Sequence, residues 1–150
     1  MISRSFAQTP LSSIANSFYS KAESLPRKEN ECSVLVVDDA PDIASMLACF
    51  LEKAGYRVRP VWSAVEALEA ARSERFDVII SDIGLPGMDG YELAKALRAL
   101  GEYRSTPLIA VTGFTEYSDQ RNAFDAGFDA HLTKPVDPAE LIKLMGQLGC

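Results

Sequence analysis

A chain of 150 residues with 47% hydrophobic and 24% charged side chains can bury one full-sized core and is too short for catalytic and substrate domains side by side. Its formal charge of −6, from 15 basic and 21 acidic residues, repels polyanions and suits a cation, which counts against nucleic acid as the direct partner. No run approaches the ~18 apolar residues of a membrane span.

Residues 1–31 carry seven serines, two prolines and only scattered apolar side chains such as Ile14, Phe18 and Tyr19, the composition of a flexible leader or linker. A short helix near Leu11 to Tyr19 would lack caps. No continuous apolar stretch follows Arg4, so no secretory signal is expected. Charge divides at the same boundary: 4 basic and 3 acidic residues (+1) precede residue 32, and 11 against 18 (−7) follow it. Cys32, Cys49 and Cys150 are an odd set without CxxC spacing, which predicts reduced thiols in a cytoplasmic protein, Cys49 packing as a small hydrophobe. Neither a disulfide framework nor a zinc site is expected.

From Cys32 onward, short apolar runs alternate with helical periodicities, the pattern of a parallel sheet covered on both faces. Val34-Leu35-Val36-Val37 reads as a central strand. Ile43, Met46, Leu47, Phe50 and Leu51 then form one helical stripe that stops near Gly55. Tyr56-Arg57-Val58-Arg59 alternates and meets Pro60, as an edge strand does. Ser63 with Glu66 opens the second helix. Val78-Ile79-Ile80 is a second central strand, and Asp89 with Glu92 starts the third helix. Leu108-Ile109-Ala110-Val111 is a third central strand. Glu116 to Ala126 is a marginal helix whose main apolar pair is Ala123 and Phe124, and so a candidate moving part. Ala130-His131-Leu132 is the opposite edge, and Asp137 with Glu140 behind Pro138 opens a last helix carrying Leu141, Leu144, Met145 and Leu148. Five strand-helix units with right-handed crossovers make an α/β, doubly wound (βα)5 parallel sheet of the flavodoxin-like order 2-1-3-4-5. Ligands of such sheets bind beyond the carboxyl ends of the strands.

Those ends carry Asp38 and Asp39 after the first strand, Ser81 and Asp82 after the third, Thr112 and Gly113 after the fourth, and Thr133, Lys134 and Pro135 after the fifth. Three carboxylates on one rim repel one another unless they hold a cation. Oxygen donors without Cys or His specify Mg²⁺ or a similar ion, which leaves positions for phosphate oxygens. One carboxylate can then attack phosphorus, Lys134 holding a phosphoryl oxygen and Thr112 donating a hydrogen bond. Asp82, at the end of the central strand, is the best nucleophile, and the product is an aspartyl phosphate.

These residues carry a resemblance. Val34-Leu35-Val36-Val37-Asp38-Asp39, Ser81-Asp82-Ile83-Gly84-Leu85-Pro86-Gly87-Met88-Asp89-Gly90, the stretch from Pro107 to Thr112, and Lys134-Pro135 together make residues 33 to 148 similar to a response-regulator receiver domain. The resemblance implies a receiver over residues 32–150 of a two-component phosphorelay. Asp82 would accept a phosphoryl group from a histidine kinase or histidine phosphotransfer protein, and Asp38, Asp39, Asp82 and the Gly84 carbonyl would bind Mg²⁺. Thr112 and Lys134 would contact the phosphoryl group, with Lys134-Pro135 cis. It also implies a surface made by the fourth helix, fifth strand and fifth helix that binds a downstream protein. The segments Leu108 to Gly113 and Ala126 to Pro135 are similar to receivers at the C-termini of hybrid sensor kinases. Such a domain is not a classical enzyme, although it catalyses its own phosphorylation and autodephosphorylation.

Two positions depart from the commonest pattern: His131 stands where a Tyr or Phe switch residue is usual, and Gly113 where Ala is commoner. Gly84 brings no side chain toward an attacking water. Two rivals share parts of the pattern. A flavodoxin-like mononucleotide-binding module would need a phosphate loop after the first strand, where Asp38-Asp39-Ala40-Pro41-Asp42 repels phosphate unless a metal intervenes. A phosphohydrolase with an Asp nucleophile would resemble Asp-x-Asp after that strand, absent here, and would need a cap domain.

Overall fold

The computed structural model describes residues 31–113 and 117–150, without the side chains of 117–119. The leader expected over residues 1–31, with its short helix near Leu11 to Tyr19, lies outside the described residues except for Glu31. Five strands, β1 (Ser33–Val37), β2 (Arg57–Val61), β3 (Val78–Asp82), β4 (Leu108–Thr112) and β5 (Ala130–Thr133), alternate with α1 (Pro41–Lys53), α2 (Ala64–Ser73), α3 (Gly90–Ala99), α4 (Tyr117–Ala126) and α5 (Pro138–Gln147). A short 3-10 turn, Gly101–Tyr103, follows α3. All strand pairs are parallel, in the order β2-β1-β3-β4-β5. The three continuous apolar runs are buried along their whole length, and the two edge strands, β2 and β5, are half-buried, as the alternation of β2 and the brevity of β5 predict.

Alternate side chains of each strand feed two cores. Leu35, Val37, Ile79 and Ala110 pack with Ala67 and Leu68 of α2, Leu93 and Leu97 of α3, and Ala123 and Ala126 of α4. Val34, Val36, Ile80, Ile109 and Val111 pack with Ala44 and Leu51 of α1 and Leu141 and Met145 of α5. Leu51, Leu141 and Met145 are fully buried, so truncating any one to Ala should cost ~2–5 kcal/mol.

Several local expectations need correction. The inner line of α1 is Ala44, Leu47, Ala48 and Leu51, while Ile43, Met46 and Phe50 are exposed. Two alanines let the helix lie close to the sheet, and this turns the bulkier neighbours outward. Cys49 follows them onto the exposed side and is not packed. In α4, Ala123 is buried and Phe124 is exposed. Ser63 and Asp89 cap α2 and α3 by accepting from the N–H of Glu66 and Glu92, whereas Asp137 accepts from Ala139 rather than Glu140. The expectation of reduced thiols fails for two of the cysteines. Cys32 and Cys150, 118 positions apart, are joined as a disulfide with their Cα atoms 5.9 Å apart. Spacing could not reveal this pair, because only the packing of α1 and α5 on one face of the sheet brings the start of β1 to the end of α5.

Candidate functional site

Because the strands are parallel, their carboxyl ends share one rim. The β1–β2 and β1–β3 registers set Val37 beside Val61 and Ser81, the β3–β4 register sets Asp82 beside Val111, and the β4–β5 register sets Thr112 beside Thr133. The residues that end these strands therefore converge. Asp38, Asp82 and Thr112 are buried and Asp39 is exposed. Asp38, Asp39 and Asp82 each offer a carboxylate oxygen within 4.8 Å of the others. Lys134 reaches in from the loop after β5, its Nζ 2.9 Å from Asp82 Oδ2 and 3.8 Å from Asp38 Oδ2.

Backbone groups fix the two buried carboxylates. Asp38 Oδ1 accepts from the Ala40 N–H at 2.9 Å, a local turn that leads into Pro41 at the start of α1. Asp82 Oδ1 accepts from the Gly84 N–H at 3.1 Å. Each buried carboxylate thus has one oxygen tied to its own loop and the other turned to the ammonium. The Lys134 N–H donates to the Thr112 carbonyl at 2.8 Å, which pins the β5 loop to the end of β4, and the Lys134-Pro135 bond is cis.

Three carboxylates against one ammonium leave the cluster at −3 + 1 = −2. Burial raises the Asp38 pKa, the Ala40 N–H and the Lys134 charge oppose that rise, and the neighbouring Asp82 and Asp39 reinforce it. For Lys134, burial alone favours the neutral amine, but the hydrogen bond its ammonium donates to Asp82 and the charges of Asp82, Asp38 and Asp39 outweigh it and hold the pKa above its ordinary value. An all-oxygen, net-negative donor set fits a hard divalent cation of the Mg²⁺ class, and contains none of the nitrogen or sulfur donors that favour zinc or copper.

The rim is open beside the nucleophile candidate. A Cβ added at Gly84 or at Gly113 meets no atom within 4 Å, and both residues are exposed. His131 lies on β5 opposite Ala110 and is half-buried, on the face that carries α4. Its Nε2 is buried and, among the described residues, has no hydrogen-bond partner.

Sequence reasoning did not single out two residues, one beneath the site and one at the opposite end of the sheet. Gly90 opens α3 directly under the β3 loop, where a Cβ would stand 2.5 Å from the Asp82 carbonyl oxygen and 2.7 Å from Ile83 Cα. Its place after the cap residue Asp89 was the available signal. Arg98, in the last turn of α3, donates to the carbonyls of Gly127, Tyr103 and Thr106, and pairs with Asp129, whose carboxylate also accepts from the Leu108 N–H. It thereby ties the starts of β4 and β5 together. A lone arginine at the end of a helix gives no such sign in a sequence.

The model of a family described as the response regulator receiver domain matches residues 34–145. An uncharacterized 14.6 kDa protein in the sodA1 3′ region of Leptolyngbya boryana is 40% identical over 117 residues, covering 78% of this chain and 89% of that one. The transcriptional regulatory protein ResD of Bacillus subtilis strain 168 is 33% identical across 75% of this chain, which spans only 46% of ResD. Among solved structures, the chemotaxis response regulator CheY4 of Vibrio cholerae is similar with a TM-score of 0.76 and 36% identity, over 79% of this chain and 99% of that one. The receiver domain of the sensor histidine kinase PA1611 of Pseudomonas aeruginosa PAO1, described with magnesium in its active site cleft, gives 0.74 and 32% over 80% of this chain and 99% of that one.

Proposed function

This chain belongs to the response regulator receiver domain family, and on that premise we propose that Asp82 is its phosphoacceptor, with Asp38, Asp39, Asp82 and the Gly84 carbonyl as the Mg²⁺ ligands. The observation that carries the reading is the Lys134 ammonium 2.9 Å from Asp82 Oδ2 inside a cluster of three carboxylates. Mg²⁺, when bound, neutralises the acidic pocket so that a phosphate dianion can approach. The Gly84 N–H holds Asp82 Oδ1, so the nucleophile in this reading is Oδ2, the oxygen beside Lys134. That oxygen attacks the phosphorus of a phosphohistidine, the P–N bond breaks, and the imidazole leaves with the bonding electron pair. Lys134 moves its ammonium from the carboxylate to a phosphoryl oxygen, and the Thr112 hydroxyl supplies a hydrogen bond to another.

The donor in this reading is a histidine kinase or a histidine phosphotransfer protein. His131 is the chain's only histidine, and a half-buried strand position does not suit a phosphodonor, so γ-labelled ATP alone should leave the chain unlabelled. The receiver is taken to span residues 32–150, after a leader of residues 1–31, and to work in the cytoplasm. Among the described residues no helix is long and apolar enough to cross a membrane. Output is assigned to the face of α4, β5 and α5, toward a protein partner rather than duplex DNA. Intact-mass measurement after incubation with Mg²⁺ and acetyl phosphate tests the central claim: one phosphoryl group should appear, and Asp82→Asn should abolish it. Undiminished labelling of that variant would place the nucleophile elsewhere, and turnover of a generic phosphomonoester would favour a hydrolase.

A further inference from the structure

The disulfide lies at the pole of the domain remote from the acidic cluster. Cys32 immediately precedes β1 and Asp38 immediately follows it, so six residues of extended chain, about 20 Å, separate the two poles along that strand. Two helix ends build the bridge. At the end of α5, Gly149 takes φ +101°, its N–H donates to the Gly146 carbonyl, and the Cys150 N–H donates to the Met145 carbonyl at 2.9 Å. This paired C-terminal motif folds Cys150 back toward the sheet. At the end of α1, Gly55 and Tyr56 close the same motif onto Glu52 and Leu51, and the Tyr56 hydroxyl then donates to the Cys150 carbonyl at 3.2 Å. On the other side, the Cys32 carbonyl accepts from the Arg57 N–H at 2.9 Å. Both cysteines are half-buried against the core shared by α1 and α5. Backbone hydrogen bonds hold both cysteines in place alongside the bond itself, and both residues are partly exposed.

We propose that Cys32 and Cys150 are a reversible thiol–disulfide pair through which the redox state of the surroundings sets how firmly α5 is fastened to the sheet, independently of phosphoryl chemistry at Asp82. The inference rests on the proposed cytoplasmic function, since a disulfide in that compartment is normally transient and redox-sensing. The oxidant is a low-molecular-weight disulfide of the glutathione class. One cysteine thiolate attacks a sulfur of that disulfide and expels one thiolate. The second cysteine thiolate attacks the protein sulfur of the mixed disulfide and expels the other. Two electrons and two protons pass from the cysteines to yield two molecules of reduced donor, and a reduced thiol reverses each step. Because the closed loop spans 118 positions, the bond removes much chain entropy from the unfolded state, and its loss should lower Tm on the order of 10 °C.

The test equilibrates the full chain in graded mixtures of reduced and oxidised glutathione, alkylates free thiols, and maps them by mass. Expected is a reversible shift to a species linked at Cys32 and Cys150 with only Cys49 alkylated, the same linkage with no alkylation in Cys49→Ser, and no such linkage in Cys150→Ser. Reduction should lower Tm and speed amide exchange over residues 138–150 in the wild type. It should do neither in Cys32→Ser or Cys150→Ser, while acetyl phosphate labelling stays equal in both redox states. The proposal is overturned if both cysteines stay alkylatable in the most oxidising mixture, if Cys49 captures either one between molecules, or if the bond resists excess reduced glutathione. Equal Tm and exchange in the two states would overturn it as well, as would labelling that changes with the redox state. Absence of labelling in both states would instead strike the phosphoacceptor reading and leave the redox pair standing.

Discussion

Lys134 Nζ stands 2.9 Å from Asp82 Oδ2 but 3.8 Å from Asp38 Oδ2, so the one ammonium in the cluster is committed to the proposed nucleophile rather than shared evenly. The same Lys134 is anchored through its own N–H to the Thr112 carbonyl. Lys134 therefore links the charge on Asp82 directly to the ends of β4 and β5.

Replacing Lys134 with Met separates the lysine's two effects. Without the ammonium, three carboxylates repel one another unopposed, and Mg²⁺ should bind several-fold more tightly by titration calorimetry. The phosphoryl oxygens lose their point charge, and labelling of Asp82 by acetyl phosphate should slow about 10- to 100-fold. Wild-type labelling with unchanged Mg²⁺ affinity would remove Lys134 from both roles.

Asp38 gives a pH dependence whose sign follows from its raised pKa. Below the ordinary value of 3.8, folded and unfolded chains both hold the proton and the residue contributes nothing to stability. As pH rises, the unfolded chain ionises first, so stability falls until the folded carboxyl has also ionised, and it stays lower above that point. Asp38→Asn should therefore raise the Tm of the metal-free protein by a few °C at pH 7, with the gain vanishing below pH 3.8. Added Mg²⁺ should raise the Tm of the wild type and leave that of the variant nearly unchanged.

Gly90→Ala should destabilise the fold by about 2 kcal/mol in urea unfolding, because the new Cβ would stand 2.5 Å from the Asp82 carbonyl oxygen. Either α3 or the β3 loop must move. Labelling of Asp82 should slow more than stability alone would explain, since the same loop carries the Gly84 N–H that holds Asp82 Oδ1. An Ala variant with wild-type stability would show that the loop yields freely.

The sheet and its rim were legible because both rest on uninterrupted patterns. Apolar runs of three or four residues between helical stripes are too short for helices and mark buried strands, and the residues at their carboxyl ends share one rim, so Asp38, Asp39, Asp82, Thr112 and Lys134 are legible as neighbours in the sequence. What failed rested on judgements of size or distance. The α1 stripe was read from its bulky residues, although Ala44 and Ala48 face the sheet. The Cys32 and Cys150 pair was dismissed on spacing, although the fold joins residues 118 apart. Gly90 is marked only by its place after the cap residue Asp89, and Arg98, whose partners include Gly127 and Asp129, is marked by no local pattern.

His131 supplies the last prediction. Its Nε2 is buried without a partner among the described residues, and a polar atom in that state costs ~1–3 kcal/mol. An alternative rotamer or an incoming group that satisfies Nε2 is correspondingly favoured. It lies on β5 two residues before Thr133, which pairs with Thr112, so a displacement of Thr112 toward a phosphorylated Asp82 reaches it through one strand pair. Amide resonances of residues 112–118 and 129–134 should move when the domain is phosphorylated or loaded with beryllofluoride. His131→Ala should leave labelling of Asp82 intact, abolish the shifts at 129–134, and weaken phosphorylation-dependent partner binding. His131→Phe keeps the bulk without the unpaired nitrogen and should stabilise the unphosphorylated domain. Equal partner affinity for wild type and His131→Ala in both phosphorylation states would make the histidine a bystander and leave the switch to the backbone of β4 and β5.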